Sequence, residues 1–299
     1  MRNAFIKKLH ELAKKDERIV LLVGDLGYSV IEDFARDFPD RFYNVGIAEQ
    51  NMIGIATGLA NSGCIPFCYS IAPFTLLRPY EFIKNGPVLH NSKVRIIAVG
   101  GGFEYGDLGY THYCLEDVAI TRVFPNLRSY FPMNNENATS MLEATYDLNS
   151  PIYYRVGKNG KSSTDGIVSS FCADGIETIN EKNDNKTAVI TLSSIADQGQ
   201  KALNENQSFN LYALTQINPV PIKKLCEIIA KHDKIITVEA HYKSGGIGSI
   251  AAEVIAEFGL KCKLIRLSVD RELDGFIGDQ AFMENKYGVD KEAIIKALK

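Results

Sequence analysis

Residues 45–63 read VGIAEQNMIGIATGLANSG, and the fold turns on this run. Met52, Ile53, Ile55, Ala56, Leu59 and Ala60 leave no broad polar face, so a helix covered on most sides is expected. Gly54 and Gly58 stand one turn apart, where another backbone could approach closely. The helix is expected to stop at Gly63, after Asn61 and Ser62, because a left-handed cap favours glycine. A single carboxylate, Glu49, heads the run. An acid in a first helical turn complements the helix dipole, worth roughly 0.3–1 kcal/mol when exposed. Position alone therefore assigns Glu49 no chemistry.

Upstream, a charged amphipathic helix ends near Asp16 to Arg18, and IVLLVGD (19–25) follows as a strand too apolar to have a wet face. Such a strand implies helices above and below it, hence a parallel sheet. The alternation continues with a helix at about Val30 to Phe38, a strand at Phe42 to Val45, the Glu49 helix and a strand at Pro66 to Ser70. A helix at about Phe74 to Lys84, a strand at Val94 to Val99, a helix at Glu116 to Thr121 and a strand at Leu127 to Phe131 come next. Asn135 to Tyr146 as helix and Ile152 to Val156 as strand complete the pattern, which is that of an α/β domain.

From Gly157 to Lys186 the chain turns polar, as a connection would. A second α/β pattern then runs through TAVITLSS (187–194), LYALTQI, KKLCEIIAKH, KIITVEA, a Gly-rich turn at Ser244 to Ser249 and CKLIRLS. The expected organisation is a domain at 1–158, a linker at 159–186 and a domain at 187–299, each a mostly parallel sheet flanked by helices.

Of the 299 residues, 45% are hydrophobic and 23% charged, the balance of a soluble globular protein. The net charge of −3 gives no bulk attraction to nucleic acid or to an anionic membrane. No apolar run reaches the roughly 18–20 residues needed to span a bilayer, and the N-terminal helix lacks a signal-peptide core, so a cytoplasmic location is expected. Six cysteines are scattered without a CxxC pair, which indicates neither a zinc site nor a disulfide framework.

The loop GGGFEYGDLGYTHY (100–113) places glycines and a Thr-His pair beyond the end of the Val94 to Val99 strand, where α/β sheets bind ligands. Coupled to His112, this loop is a candidate site. SGGIGS (244–249) lacks the full GxGxxG spacing and a downstream acid, so it reads as a tight turn feeding a helix.

RFYNVGIAEQNMIGIATGLANSG (41–63), IPFCYSIAPFTLLRPYEF (65–82) and YGDLGYTHYCLEDVAITRVFPNLR (105–128) together resemble the pyrimidine-binding domain of the transketolase family, which includes deoxyxylulose phosphate synthase. KIITVEAHYKSGGIGSIAAEVI (234–255) and YGVDKEAI (287–294) are similar to the family's C-terminal domain. The family's diphosphate-binding domain, which carries the metal motif, is not matched. The chain thus looks like the C-terminal subunit of a split transketolase. The resemblance implies thiamine diphosphate as cofactor and transfer of a two-carbon ketol unit from a ketose to an aldose. It also implies a partner, an N-terminal transketolase-like subunit holding the diphosphate and Mg²⁺, with two copies of each chain.

The same resemblance gives Glu49 a role, as the carboxyl group that hydrogen-bonds a ring nitrogen of the cofactor's aminopyrimidine. An apolar setting would suit a carboxyl group that shares a proton with the ring. Phe74 matches the aromatic packed on that ring, Tyr80 another aromatic of the pocket, and Ile71 falls in the same pocket. His112 matches a histidine that contacts substrate oxygens and relays protons, Asp25 an acid near the cofactor, and Ser29 a residue that helps hold a substrate phosphate.

Three positions depart from the family pattern. Leu108 stands where an Asp is expected, with Asp107 adjacent, Gly100 replaces a histidine, and Lys158 stands for a phosphate-binding Arg. These changes alter which hydroxyls and phosphates of a sugar or sugar phosphate can be satisfied. Gly24-Asp25 followed by Asn51 approaches the family's metal motif, but Leu26 stands where a second Gly belongs, so no metal ligands are expected on this chain. The rival readings are the β subunit of a 2-oxoacid dehydrogenase first component and a catalytically silent scaffold. The Thr-His loop disfavours the first, and joint retention of Glu49, Phe74 and His112 disfavours the second.

Overall fold

The computed structural model describes residues 1–168, 170–270 and 272–299. Strands β1 (Ile19–Val23), β3 (Ile65–Ile71), β4 (Arg95–Val99) and β6 (Ile152–Val156) are buried along their whole lengths, as runs without a wet face must be. With β2 (Phe42–Asn44), β5 (Arg128–Tyr130) and β10 (Gln216–Asn218) they form a sheet of order β10-β5-β6-β4-β3-β1-β2. It is parallel except for β10, which pairs antiparallel with β5.

A second sheet has the order β12-β11-β8-β9-β7, built from β7 (Ile176–Asn180), β8 (Thr187–Leu192), β9 (Asn210–Leu214), β11 (Lys234–Tyr242) and β12 (Lys263–Val269). Its edge strand β7 runs antiparallel to β9, and its other pairings are parallel. Two domains, each a mostly parallel sheet flanked by helices, are what the alternating pattern led us to expect.

Helix α1 (Arg2–Ala13) and the helix Asn135–Thr145 cover one face of the first sheet, packing Phe5, Leu9 and Met141 against Phe67 and Tyr154. The other face packs Met52 and Ile53 against Leu22 and Ile96, and this core continues without a break to Ile190, Leu214 and Leu225 of the second domain. Arg95, fully buried, donates to the carbonyls of Tyr146, Leu148 and Ser150. It ties the chain before β6 to the sheet floor. Among the described residues no helix is long and apolar enough to cross a membrane.

Three readings change. The expected helix from Phe74 to Lys84 is broken into α4 (Ala72–Leu76), α5 (Tyr80–Ile83) and a π-helical turn at Lys84–Val88. Pro79 and Pro87 lack the N–H a continuous helix needs. LYALTQI is not one strand: the chain leaves the second sheet at Thr215, whose carbonyl accepts from Phe131 N–H, and lends β10 to the first sheet. Within the segment read as a connection, Ile176–Asn180 is a strand of the second sheet.

The Glu49 helix, α3 (Glu49–Asn61), extends as expected, though only half of it is covered. Numbering the helices in chain order, α2 is Glu32–Asp37. Met52, Ile53, Ala56 and Thr57 of α3 are buried, whereas Asn51, Gly54, Ile55 and Gly58 are exposed. A Cβ at Gly54 or Gly58 would meet nothing within 4 Å, so neither glycine is answering a close approach within this chain.

Candidate functional site

The carboxyl ends of β1 and β3 meet at the start of α3. Glu49 is 1% exposed. Its Oε2 accepts from Arg78 Nη1 at 2.5 Å, and Ser70 Oγ, from β3, donates to Oε1 at 3.4 Å. Gly24, just past β1, makes room: a Cβ there would lie 3.3 Å from Oε1. The surroundings of Glu49 are therefore not simply apolar, because a guanidinium faces it.

Arg78 also lies over the Phe74 ring, 4.5 Å from its centroid. The His112 ring meets Phe74 edge-on at 5.2 Å. Thr111 Oγ1 is 2.9 Å from His112 Nδ1 and fixes the ring's orientation. Glu49, Phe74 and His112, far apart in sequence, thus stand together, with Arg78 joining two of them. Sequence reading missed Arg78, although a lone cation four residues after Phe74 in an otherwise apolar helical run was the available signal.

The other candidates are distributed around this centre. Ile71 closes β3 and is buried beneath α4. Asp25, at φ 56°, exchanges hydrogen bonds with Asn44, its N–H donating to Oδ1 and its Oδ1 accepting from Nδ2. Asn51, the other half of the near-metal motif, lies on the exposed face of α3. Ser29, at φ 66°, donates its N–H to Glu32 and lines a cleft against Asn3, Lys7 and His10 of α1. Tyr80 is placed elsewhere: its hydroxyl donates to Ile120 carbonyl at 2.9 Å and its ring tilts against Phe124.

Lys158 Nζ is 3.7 Å from Asp107 and 4.4 Å from the centroid of Tyr105, whose ring is 6.4 Å from that of His112. A single loop therefore carries His112, Asp107 and the aromatic under Lys158. Leu108 is half-exposed beside them. Gly100 has φ 75°, and a Cβ there would fall 2.2 Å from Tyr105 Cε2. Tyr105 occupies the room that a histidine at 100 would need.

Behind the loop runs a buried polar cluster. Asp117 accepts from Tyr153 hydroxyl at 2.9 Å and pairs with Arg155 at 3.3 Å, all three being shielded from solvent. Gly101 lies against Arg155, where a Cβ would be 1.8 Å from Nε. His241, from β11, is also buried, which pushes its pKa down. With Nδ1 2.6 Å from the Tyr242 carbonyl and Nε2 facing Ala119 N–H at 3.3 Å, its neutral form satisfies both contacts. His241 is thus a structural strut between domains, unlike His112.

The family models for the transketolase pyrimidine-binding domain and the transketolase C-terminal domain match residues 1–160 and 178–294. The chain belongs to the transketolase family. It is 33% identical to a Methanocaldococcus jannaschii protein described as a transketolase C-terminal section, over 100% of this chain and 95% of that protein. It is 30% identical to one of the subunits of the apulose-4-phosphate transketolase of Phocaeicola vulgatus, covering 99% of this chain and 95% of the relative. A solved structure titled split gene transketolase, inactive beta4 tetramer, superimposes with a TM-score of 0.86 at 27% identity, covering 99% and 95% of the two chains. Within the family, this chain is similar to subunits of split transketolases.

Proposed function

We propose that the chain is the pyrimidine-binding subunit of a thiamine diphosphate-dependent transketolase, transferring a two-carbon ketol unit from a ketose to an aldose acceptor. A separate chain would hold the diphosphate and the Mg²⁺ ligands, and neither chain alone would be active. The reading rests on the joint placement of Glu49 and Phe74, a buried carboxylate beside an aromatic face on which a planar cation already sits. A carboxylate edge and an aromatic face are the two contacts an aminopyrimidine would use. When bound, the cofactor supplies the nucleophilic carbon that breaks and remakes the bond next to the ketose carbonyl.

This chain's residues do the rest. Glu49 holds a proton between its carboxylate and a ring nitrogen. Phe74 packs the ring face and keeps water from it. With Nδ1 engaged by Thr111, His112 turns Nε2 toward a substrate oxygen and can give or take a proton there. Lys158, beside Asp107 and Tyr105, takes the anionic end of a ketose phosphate, in keeping with a relative named for apulose-4-phosphate. The exposed stripe of α3, with the neighbouring exposed Ile47 and Leu77, is the face assigned to assembly into two copies of each chain.

The test is to co-express the chain with a diphosphate-binding half and assay ketol transfer with added thiamine diphosphate and Mg²⁺. Glu49→Gln is expected to lower turnover by roughly 10²-fold or more. A complex that turns over 2-oxoacids but not ketoses sinks the transketolase reading. Undiminished transfer by Glu49→Gln removes the role given to that residue.

A further inference from the structure

The seat between Phe74 and Glu49 is filled by a side chain of this protein. Arg78 makes both contacts that define it, an N–H to Glu49 Oε2 at 2.5 Å and a face over the Phe74 ring at 4.5 Å. A guanidinium is flat, cationic and rimmed by in-plane N–H donors. The ring-nitrogen and amino edge of a protonated aminopyrimidine has the same character. Both groups offer a plane to an aromatic ring and an edge donor to a carboxylate.

The placement answers an electrostatic need. Glu49 is 1% exposed, and its other polar neighbour, the Ser70 hydroxyl, is at 3.4 Å. A carboxylate buried that deeply is costly without a cation or donor against it. The Arg78 side chain is 35% exposed, so solvent gives it somewhere to go when a ring arrives.

Resting on the cofactor reading above, we propose that Arg78 is a seat-holder. It occupies the place of the aminopyrimidine in the cofactor-free chain and is exchanged for it on loading. Glu49 then passes from one planar donor to another and is never left buried without a partner. The exchange lowers the apparent affinity by the fraction of molecules in which Arg78 has swung out. Arg78 is therefore a positioning residue that sets how readily the cofactor enters.

Thiamine is the probe, since it carries the ring without the diphosphate and needs no partner chain. Titrations of the full-length chain, followed by ligand-observed NMR, compare wild type, Arg78→Met, Glu49→Gln and the double variant. Arg78→Met is expected to bind thiamine roughly tenfold more tightly, as when the open seat is about one-tenth populated. That gain should vanish in the Glu49→Gln background. In the unmodified chain the Arg78 Nε–H resonance should shift with thiamine and saturate together with binding, a readout independent of whether Arg78→Met folds.

Equal or weaker binding by Arg78→Met overturns the proposal, as does an Arg78 resonance unmoved at saturating thiamine. If Glu49→Gln still weakens thiamine in those titrations, only the seat-holder falls and the cofactor reading stands. If thiamine is indifferent to Glu49 as well, both fall together.

Discussion

Gly101→Ala probes the packing that holds the His112 loop against the body of the protein. A Cβ at Gly101 would lie 1.8 Å from Arg155 Nε and 2.4 Å from its Cζ, against the ~3.5–4 Å at which carbon atoms pack. Arg155 is 1% exposed and has no solvent to retreat into, so it must give up its 3.3 Å contact with Asp117. Breaking a buried ion pair costs about 3–5 kcal/mol, because both charges stay buried. Alanine would return about 0.4–1 kcal/mol by restricting the unfolded chain. The loss should therefore be about 3 kcal/mol, a large share of the ~5–15 kcal/mol typical of a folded protein.

Urea unfolding followed by far-UV circular dichroism measures this directly. Gly160→Ala is the control, because its Cβ meets nothing within 4 Å. If the two variants unfold within about 0.5 kcal/mol of each other, the scatter usual for surface changes, the close approach of Gly101 to Arg155 is not real.

Glu239, a buried residue of β11, accepts from Ile247 and Gly248 N–H, and burial pushes its pKa from 4.5 up to about 7. A carboxyl group with a raised folded pKa contributes stability that is full below about pH 4.5 and lost as pH rises through about 7, on the order of 3 kcal/mol. Thermal midpoints should fall from pH 5 to pH 8, and Glu239→Gln should flatten that slope; an unchanged slope contradicts the assignment. Glu284, likewise raised by burial to about 7, should add in the same direction, checked by Glu284→Gln. Arg95→Met removes the donor from the buried Ser150 carbonyl and from the part-buried Tyr146 carbonyl, while the Leu148 carbonyl keeps Ser150 N–H, and at about 1–3 kcal/mol for a buried unsatisfied group it should cost about 1–3 kcal/mol in the same urea assay.

What the sequence revealed depended on whether a signal was local. β1, β3, β4 and β6 were legible because a strand covered on both faces must be apolar throughout. Short strands carry little such signal: β10 has three residues and β7 is fully buried only at Ile176 and Glu177, so both were absorbed into neighbouring segments. Gly54 and Gly58 show that absent side chains are ambiguous, since an open surface and a tight packing seam are spelled alike. Pro79 was a visible breaker, inside the helix expected from Phe74 to Lys84, that apolar periodicity outweighed.

The site divided in the same way. Glu49, Phe74 and His112 were found through the motifs around them, and the structure brings them together. Arg78 was not, because what singles it out is two contacts made across the fold. Tyr80 matched by position, yet it spends its hydroxyl on Ile120 and its ring on Phe124.

The loan of β10 to the first sheet governs how these halves can travel through evolution. Its pairing with β5, and the grip of Asn218 on the carbonyls of Phe124 and Leu127, come from beyond the polar stretch that composition marks as a seam. Severing the chain at that seam would strip β5 of its outer neighbour, leaving it paired with β6 alone, and expose a sheet margin with bare N–H and C=O groups, the kind of edge that recruits stray strands. A gene rearrangement that parted the two halves would therefore bare the margin of the sheet on which the Glu49 helix and the His112 loop are mounted.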